Sequence, residues 1–134
     1  MITNNLLVLK KASFGLAIGW TLLIAVVCLV KFGNLPSLGV SGADKYVHII
    51  LHFGFTMLWG FYFWQKRNQK TIPIIIRLVV VSLFYGILIE FLQETCTTTR
   101  HADIFDVLAN GTGATIALLV FVLIKNSKSS QTAL

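Results

Sequence analysis

Charge is what this sequence has least of. Of its 134 residues, 12% are charged, and only five of those are acidic against eleven Lys and Arg. A soluble domain carries about 25% charged residues because its surface faces water. A chain this short is mostly surface, so an ordinary water-soluble domain is excluded. Disorder is excluded too, since 56% of the residues are hydrophobic and disordered segments have low hydrophobicity. Cysteine is scarce: Cys28 and Cys96 stand alone, with no CxxC. Two are too few for a disulfide scaffold, and sequence supplies no geometry to join them. There is no GxSxG and no P-loop, so no soluble-style catalytic apparatus is visible.

What is present is four long apolar runs. Residues 12–30 hold no charge, and as a helix they reach about 28 Å, close to the hydrocarbon thickness of a bilayer. Residues 47–64 are interrupted only by His48 and His52. Residues 72–92 carry Arg77 near one end and Glu90 near the other, and residues 104–124 open with Asp106 and Asn110. A membrane barrel requires alternation of apolar and polar residues, which runs such as Ile74-Ile75-Ile76 lack. The expectation is an all-α polytopic membrane protein, a bundle of four transmembrane helices over residues 1–124. The Ser, Lys, Gln and Thr of residues 125–134 read as a flexible polar tail. The first run is too long for the apolar region of a cleaved signal peptide and reads as a retained span.

The net charge of +6 would suggest nucleic acid in a soluble chain. Here the bases lie mostly between apolar runs, where they set orientation, so no nucleic-acid partner is expected. Lys10, Lys11, Lys66, Arg67, Arg77, Lys70, Lys125 and Lys128 fall on one side; Lys31, Lys45 and Arg100 fall on the other. That imbalance places both termini in the cytoplasm. All five acids, Asp44, Glu90, Glu94, Asp103 and Asp106, fall on the opposite, outer side with His48, His52 and His101. Acids contribute little to topology, so their segregation needs another cause.

Helical spacing supplies one. Asp44, His48, His52 and Thr56 recur every four residues, and Ser82, Gly86, Glu90 and Gln93 form a second stripe. Asp106, Asn110, Gly113 and Ala117 form a third. Residues three and four apart share a helix face, and polar groups in a membrane face the bundle interior or a wet cavity. Three stripes at similar depth predict one polar cluster at the outer ends, with Lys45, Arg100, His101 and Asp103 at its rim. Gly15 and Gly19 form a GxxxG, and Ala109, Gly113 and Ala117 a small-residue series. Both predict close helix packing within the bundle, with homo-oligomer formation the alternative.

Three motifs stand in order at the outer ends of the spans. They are Asp44-Lys45-x-x-His48, Tyr85-Gly86-x-x-Ile89-Glu90-x-x-Gln93, and Arg100-x-x-Asp103-x-x-Asp106-x-x-Ala109-Asn110-x-x-Gly113. Together they resemble the VanZ-like family of small bacterial integral membrane proteins, over roughly residues 12–124. The resemblance implies a multi-pass protein of the bacterial cytoplasmic membrane. It also implies a link to cell-envelope chemistry, the family's namesake being associated with resistance to teicoplanin. Two features depart from the family pattern: His52 stands where an aromatic is usual, and Thr97-Thr98-Thr99 stands where Pro-Gly often precedes Arg100.

The candidate ligand-binding residues are therefore Asp44, Lys45, His48, His52, Glu90, Gln93, Arg100, Asp103, Asp106 and Asn110. Lys45 and Arg100 suit an anionic headgroup, Arg100 through two parallel hydrogen bonds, and the acids suit amines or hydroxyls. The partners expected are membrane lipids and an amphiphilic envelope ligand, either a lipid-linked precursor or a glycopeptide- or lipopeptide-like antibiotic. An enzyme is the alternative, with Glu90 and Asp106 as acid–base pair and His48 as proton shuttle. A purely structural role, with the polar layer fixing helix register, is the third reading. His48 and His52 have metal-ligand spacing but no HExxH acid between them, so neither metal nor cofactor is expected.

Overall fold

The computed structural model describes residues 2–29, 42–65, 71–96 and 102–132, with side chains over 7–29, 42–65, 71–96 and 102–127. Four helices account for nearly all of these: α1 (Ile2–Leu29), α2 (Ala43–Trp64), α3 (Thr71–Cys96) and α4 (Ile104–Thr132). Each contains a stretch long and apolar enough to cross a membrane. Without water, backbone N–H and C=O groups must pair within the segment, which a helix does along its whole length. The chain is thus a multi-pass, all-helical membrane protein.

The helix ends follow local chemistry. Gly42 precedes α2 with φ of +80°, a left-handed conformation that costs glycine nothing. Asp103 caps α4: its Oδ1 accepts from the Phe105 N–H at 2.8 Å, satisfying one of the unpaired amides at a helix start. At the other end α4 continues through residues 125–132, where composition suggested a flexible tail. No Gly or Pro stands there to stop it, and Lys and Gln are good helix formers.

Lipid is as apolar as leucine, so helices in a bilayer associate through close packing and polar contacts rather than hydrophobic burial. Both devices appear. α2 and α4 share the most extensive contact. It is possible because Gly113 of α4 lies against the Ile49 carbonyl of α2, where even a Cβ would collide with backbone. α3 packs against both, and Ile75 and Leu78 of α3 join Phe121 of α4 in a buried cluster away from the polar end.

α1 touches α2 and α3 and, among the described residues, not α4. Side-chain hydrogen bonds hold it. Trp20 Nε1 donates to the Leu51 carbonyl at 2.8 Å and Tyr85 Oη to the Thr21 carbonyl at 2.6 Å. Gln93 Nε2 donates to the Cys28 carbonyl at 2.9 Å and Trp59 Nε1 to Thr21 Oγ1 at 3.1 Å. Trp59 thus belongs to the packing between α1 and α2. Gly15 and Gly19 do not pack inside the bundle: nothing lies within 4 Å of the position of a Cβ on either. α1 is clamped by its Trp20, Ile24 and Cys28 face, which turns the two glycines outward.

Candidate functional site

The three stripes converge. His48, His52 and Thr56 of α2, Ser82, Glu90 and Gln93 of α3, and Asp106 and Asn110 of α4 are all buried. They form a polar column through the interface of three helices. It begins where α2 and α4 start and α3 ends, and runs down toward the middle of the membrane segments.

The rim is built on Lys45. Its Nζ lies 2.8 Å from Asp103 Oδ2, 3.3 Å from Asp106 Oδ1 and 3.4 Å from Asp44 Oδ2. Lys45 and Asp103 are about one-third exposed and Asp44 about half, so both signs of charge face out at this end. The hydrogen bond from Lys45 is the main cause that holds the Asp103 carboxyl below its ordinary range. Among the described residues, one cation is shared by three carboxylates, which leaves acceptors in excess. Arg100 and His101, the other expected rim bases, lie outside the described residues.

Below the rim the centre is enclosed. His48 Nδ1 sits 3.0 Å from Asn110 Oδ1. Its Nε2 faces Glu90 Oε1 at 3.9 Å and Asp106 Oδ2 at 3.7 Å. Glu90 Oε2 accepts the Asp103 backbone N–H at 3.1 Å, and Glu94 Oε2 that of Ala102 at 2.8 Å. These two acids, one turn apart on α3, hold the chain as it enters α4. Asn110 is completely buried, and its amide fills the space where Gly86 has no Cβ. That contact is why a glycine stands opposite it.

One turn deeper the column changes character. His52 Nδ1 pairs with Ser82 Oγ at 2.7 Å, and its ring lies 6.3 Å from Tyr85 and 6.4 Å from Phe55. His48 and His52 therefore serve different partners and do not form a ligand pair. Gln93, on the same α3 stripe, is buried, and its Nε2 ties the column to the Cys28 carbonyl of α1. Ser82 and Glu94 make polar contacts here but are not among the expected ligand-binding residues. Each had a signal, since Ser82 lies on the stripe of Glu90 and Glu94 lies one turn beyond it.

Beside the lower column lies an apolar groove of about 340 Å³, lined by Thr21, Phe55, Trp59, Phe63, Leu78, Val81 and Tyr85. It opens between α1, α2 and α3, which α1's limited contact with the bundle leaves apart. Cys28 is buried and Cys96 exposed, and no disulfide joins them.

A bundle of membrane-spanning helices with a buried acid–imidazole centre at one end defines a class of multi-pass membrane protein. Residues 21–125 match the VanZ/LLP1 family, and the chain belongs to it. The chain is 34% identical over 101 residues, 75% of its length, to a protein of Schizosaccharomyces pombe described only as uncharacterized. It spans 60% of that relative's length. The relative is eukaryotic, so the likeness brings no bacterial origin with it. No solved structure matches the chain.

Proposed function

We propose that this protein binds an amphiphilic envelope ligand from the outer side of a bacterial cytoplasmic membrane, with both of its termini in the cytoplasm. The observation that carries this reading is a partly exposed rim of mixed charge above a buried polar floor, with an apolar groove that shares α2 and α3 with that floor. Asp44 and Phe55 on α2 are eleven residues apart, about 16 Å along a helix. That is a reach suited to a molecule with its head at the rim and its chain in hydrocarbon. Asp44 and Asp103 offer acceptors to amines and hydroxyls, and Lys45 offers a cation to an anionic group. A lipid-linked precursor or a lipopeptide-like antibiotic has this composition. Envelope homeostasis or teicoplanin-type resistance would then follow from sequestering the ligand.

Native mass spectrometry of the detergent-purified protein tests it. The expected result is a discrete lipid adduct that is depleted in Lys45→Ala and Asp103→Ala. Equal adducts on the parent and both variants would sink the proposal.

One observation favours an enzyme as second reading: His48 Nε2 faces both Glu90 at 3.9 Å and Asp106 at 3.7 Å, an arrangement that would pass a proton once the contacts tighten or a water bridges them. Turnover of labelled envelope lipids that stops in a folded Glu90→Gln variant would support it. No product across the panel would remove it.

A further inference from the structure

The gaps around His48 have a definite size. Its Nε2 is 3.9 Å from Glu90 Oε1 and 3.7 Å from Asp106 Oδ2. One ligand atom from each of the three residues lies within 4.8 Å of the others. These contacts are too long for hydrogen bonds. Glu90 Oε1 is buried and, among the described residues, has no hydrogen-bond partner, in a residue only 4% exposed. A buried carboxylate oxygen without a partner costs several times what an ordinary hydrogen bond contributes.

We propose that His48, Glu90 and Asp106 are the protein ligands of a divalent cation of the zinc class. Zinc binds imidazole nitrogen and carboxylate oxygen at about 2.0–2.2 Å. Two such ligands at a tetrahedral angle stand about 3.3–3.5 Å apart. The two distances from His48 Nε2, 3.9 and 3.7 Å, need only a few tenths of an ångström of closure.

The surrounding contacts prepare the site. A carbonyl oxygen accepts, so the bond to Asn110 Oδ1 puts the proton on His48 Nδ1. The Nε2 lone pair is then turned toward two carboxylates. A lone pair facing two anions in a buried space is repulsive unless positive charge stands between them. A proton on Nε2 would bridge a single acceptor at roughly 2.7–3.2 Å, and neither oxygen is that close. A metal ion accounts for both gaps.

Each ligand is also held from behind, as ligands of metal sites are. His48 is held by Asn110, Glu90 through its other oxygen by the Asp103 N–H, and Asp106 through its other oxygen by Lys45. Glu90 Oε1, which faces the centre, is left without a partner among the described residues. Calcium and magnesium are disfavoured, because they need six or more oxygen donors or retained water and rarely take imidazole. Three protein ligands leave a further position for water or a bound group. This inference goes beyond the lipid-binding reading and does not depend on it.

The test uses full-length protein purified in detergent through a tag without histidine. Metal per chain is measured by elemental mass spectrometry. Zn²⁺ is then titrated into chelator-stripped protein against a chromophoric competitor, and Co²⁺ is added as a spectroscopic probe. The expected result is one Zn²⁺ per chain and the visible absorption of four- or five-coordinate Co²⁺ with nitrogen and oxygen ligands. Glu90→Gln and Asp106→Asn should weaken Zn²⁺ at least tenfold. Asn110→Ala, which removes a positioning contact, should weaken it about 10–100-fold. Gly19→Ala, on the outer face of α1, should bind like the parent. Stripped parent protein that binds Zn²⁺ no better than Glu90→Gln overturns the proposal. So does Co²⁺ that keeps its octahedral aqua spectrum, a result that needs no variant to fold.

Discussion

At the scale of single residues, His52 separates position from partner. Its place on the α2 stripe was readable from the four-residue spacing. Its partner, Ser82 at 2.7 Å, was not, because a stripe says which face a residue occupies and not what stands opposite. The same holds for Lys45, readable as a rim cation but found already committed to three carboxylates.

The His52–Ser82 pair is testable. His52→Phe keeps an aromatic ring against Phe55 and Tyr85 but removes the partner of a buried hydroxyl. Ser82 can turn back to its own helix carbonyl, so the loss should stay near 1 kcal/mol. Adding Ser82→Ala removes the stranded group, and the double variant should recover at least half of that loss. Thermal unfolding in detergent of the four proteins of the cycle measures the coupling. A double variant whose loss equals the sum of the singles shows that the two side chains do not act together.

At the scale of elements, small residues on a helix carry two meanings that sequence does not separate. The series on α4 and the GxxxG on α1 have the same spacing. Gly113 lets α4 close onto the Ile49 carbonyl of α2, whereas Gly15 and Gly19 face away from the bundle. A glycine permits close approach, and only a neighbour makes use of it. Gly113→Ala should therefore force two backbones apart and cost about 1–3 kcal/mol or more. Gly19→Ala should be neutral or slightly stabilising, since alanine is the better helix former. Melting temperatures of the two variants in one detergent decide the matter, and equal effects would contradict this packing.

At the scale of the whole molecule, the charge distribution predicts which end faces out. The end of α3 lies with the starts of α2 and α4 at the polar end, and Cys96 is exposed there while Cys28 is buried. A membrane-impermeant maleimide added to intact cells should label Cys96, and Cys96→Ser should abolish the signal. Labelling that appears only after lysis would invert the proposed orientation, with the rim and its ligand moved to the cytoplasmic side.

Four spans and three polar stripes follow from sequence because both rest on local periodicity. The length of an apolar run against the bilayer and the helical repeat of 3.6 residues need no knowledge of neighbours. Which stripes meet, and at what spacing, is a property of helix packing. Glycine at 113 sets how near α2 and α4 come, and with α3 packed against both, His48 lies within 4 Å of acids from two other helices. Sequence placed the polar residues at one end of the membrane. Only the tertiary structure set His48 against Glu90 and Asp106, because side chains from different helices share a centre only once their backbones have packed.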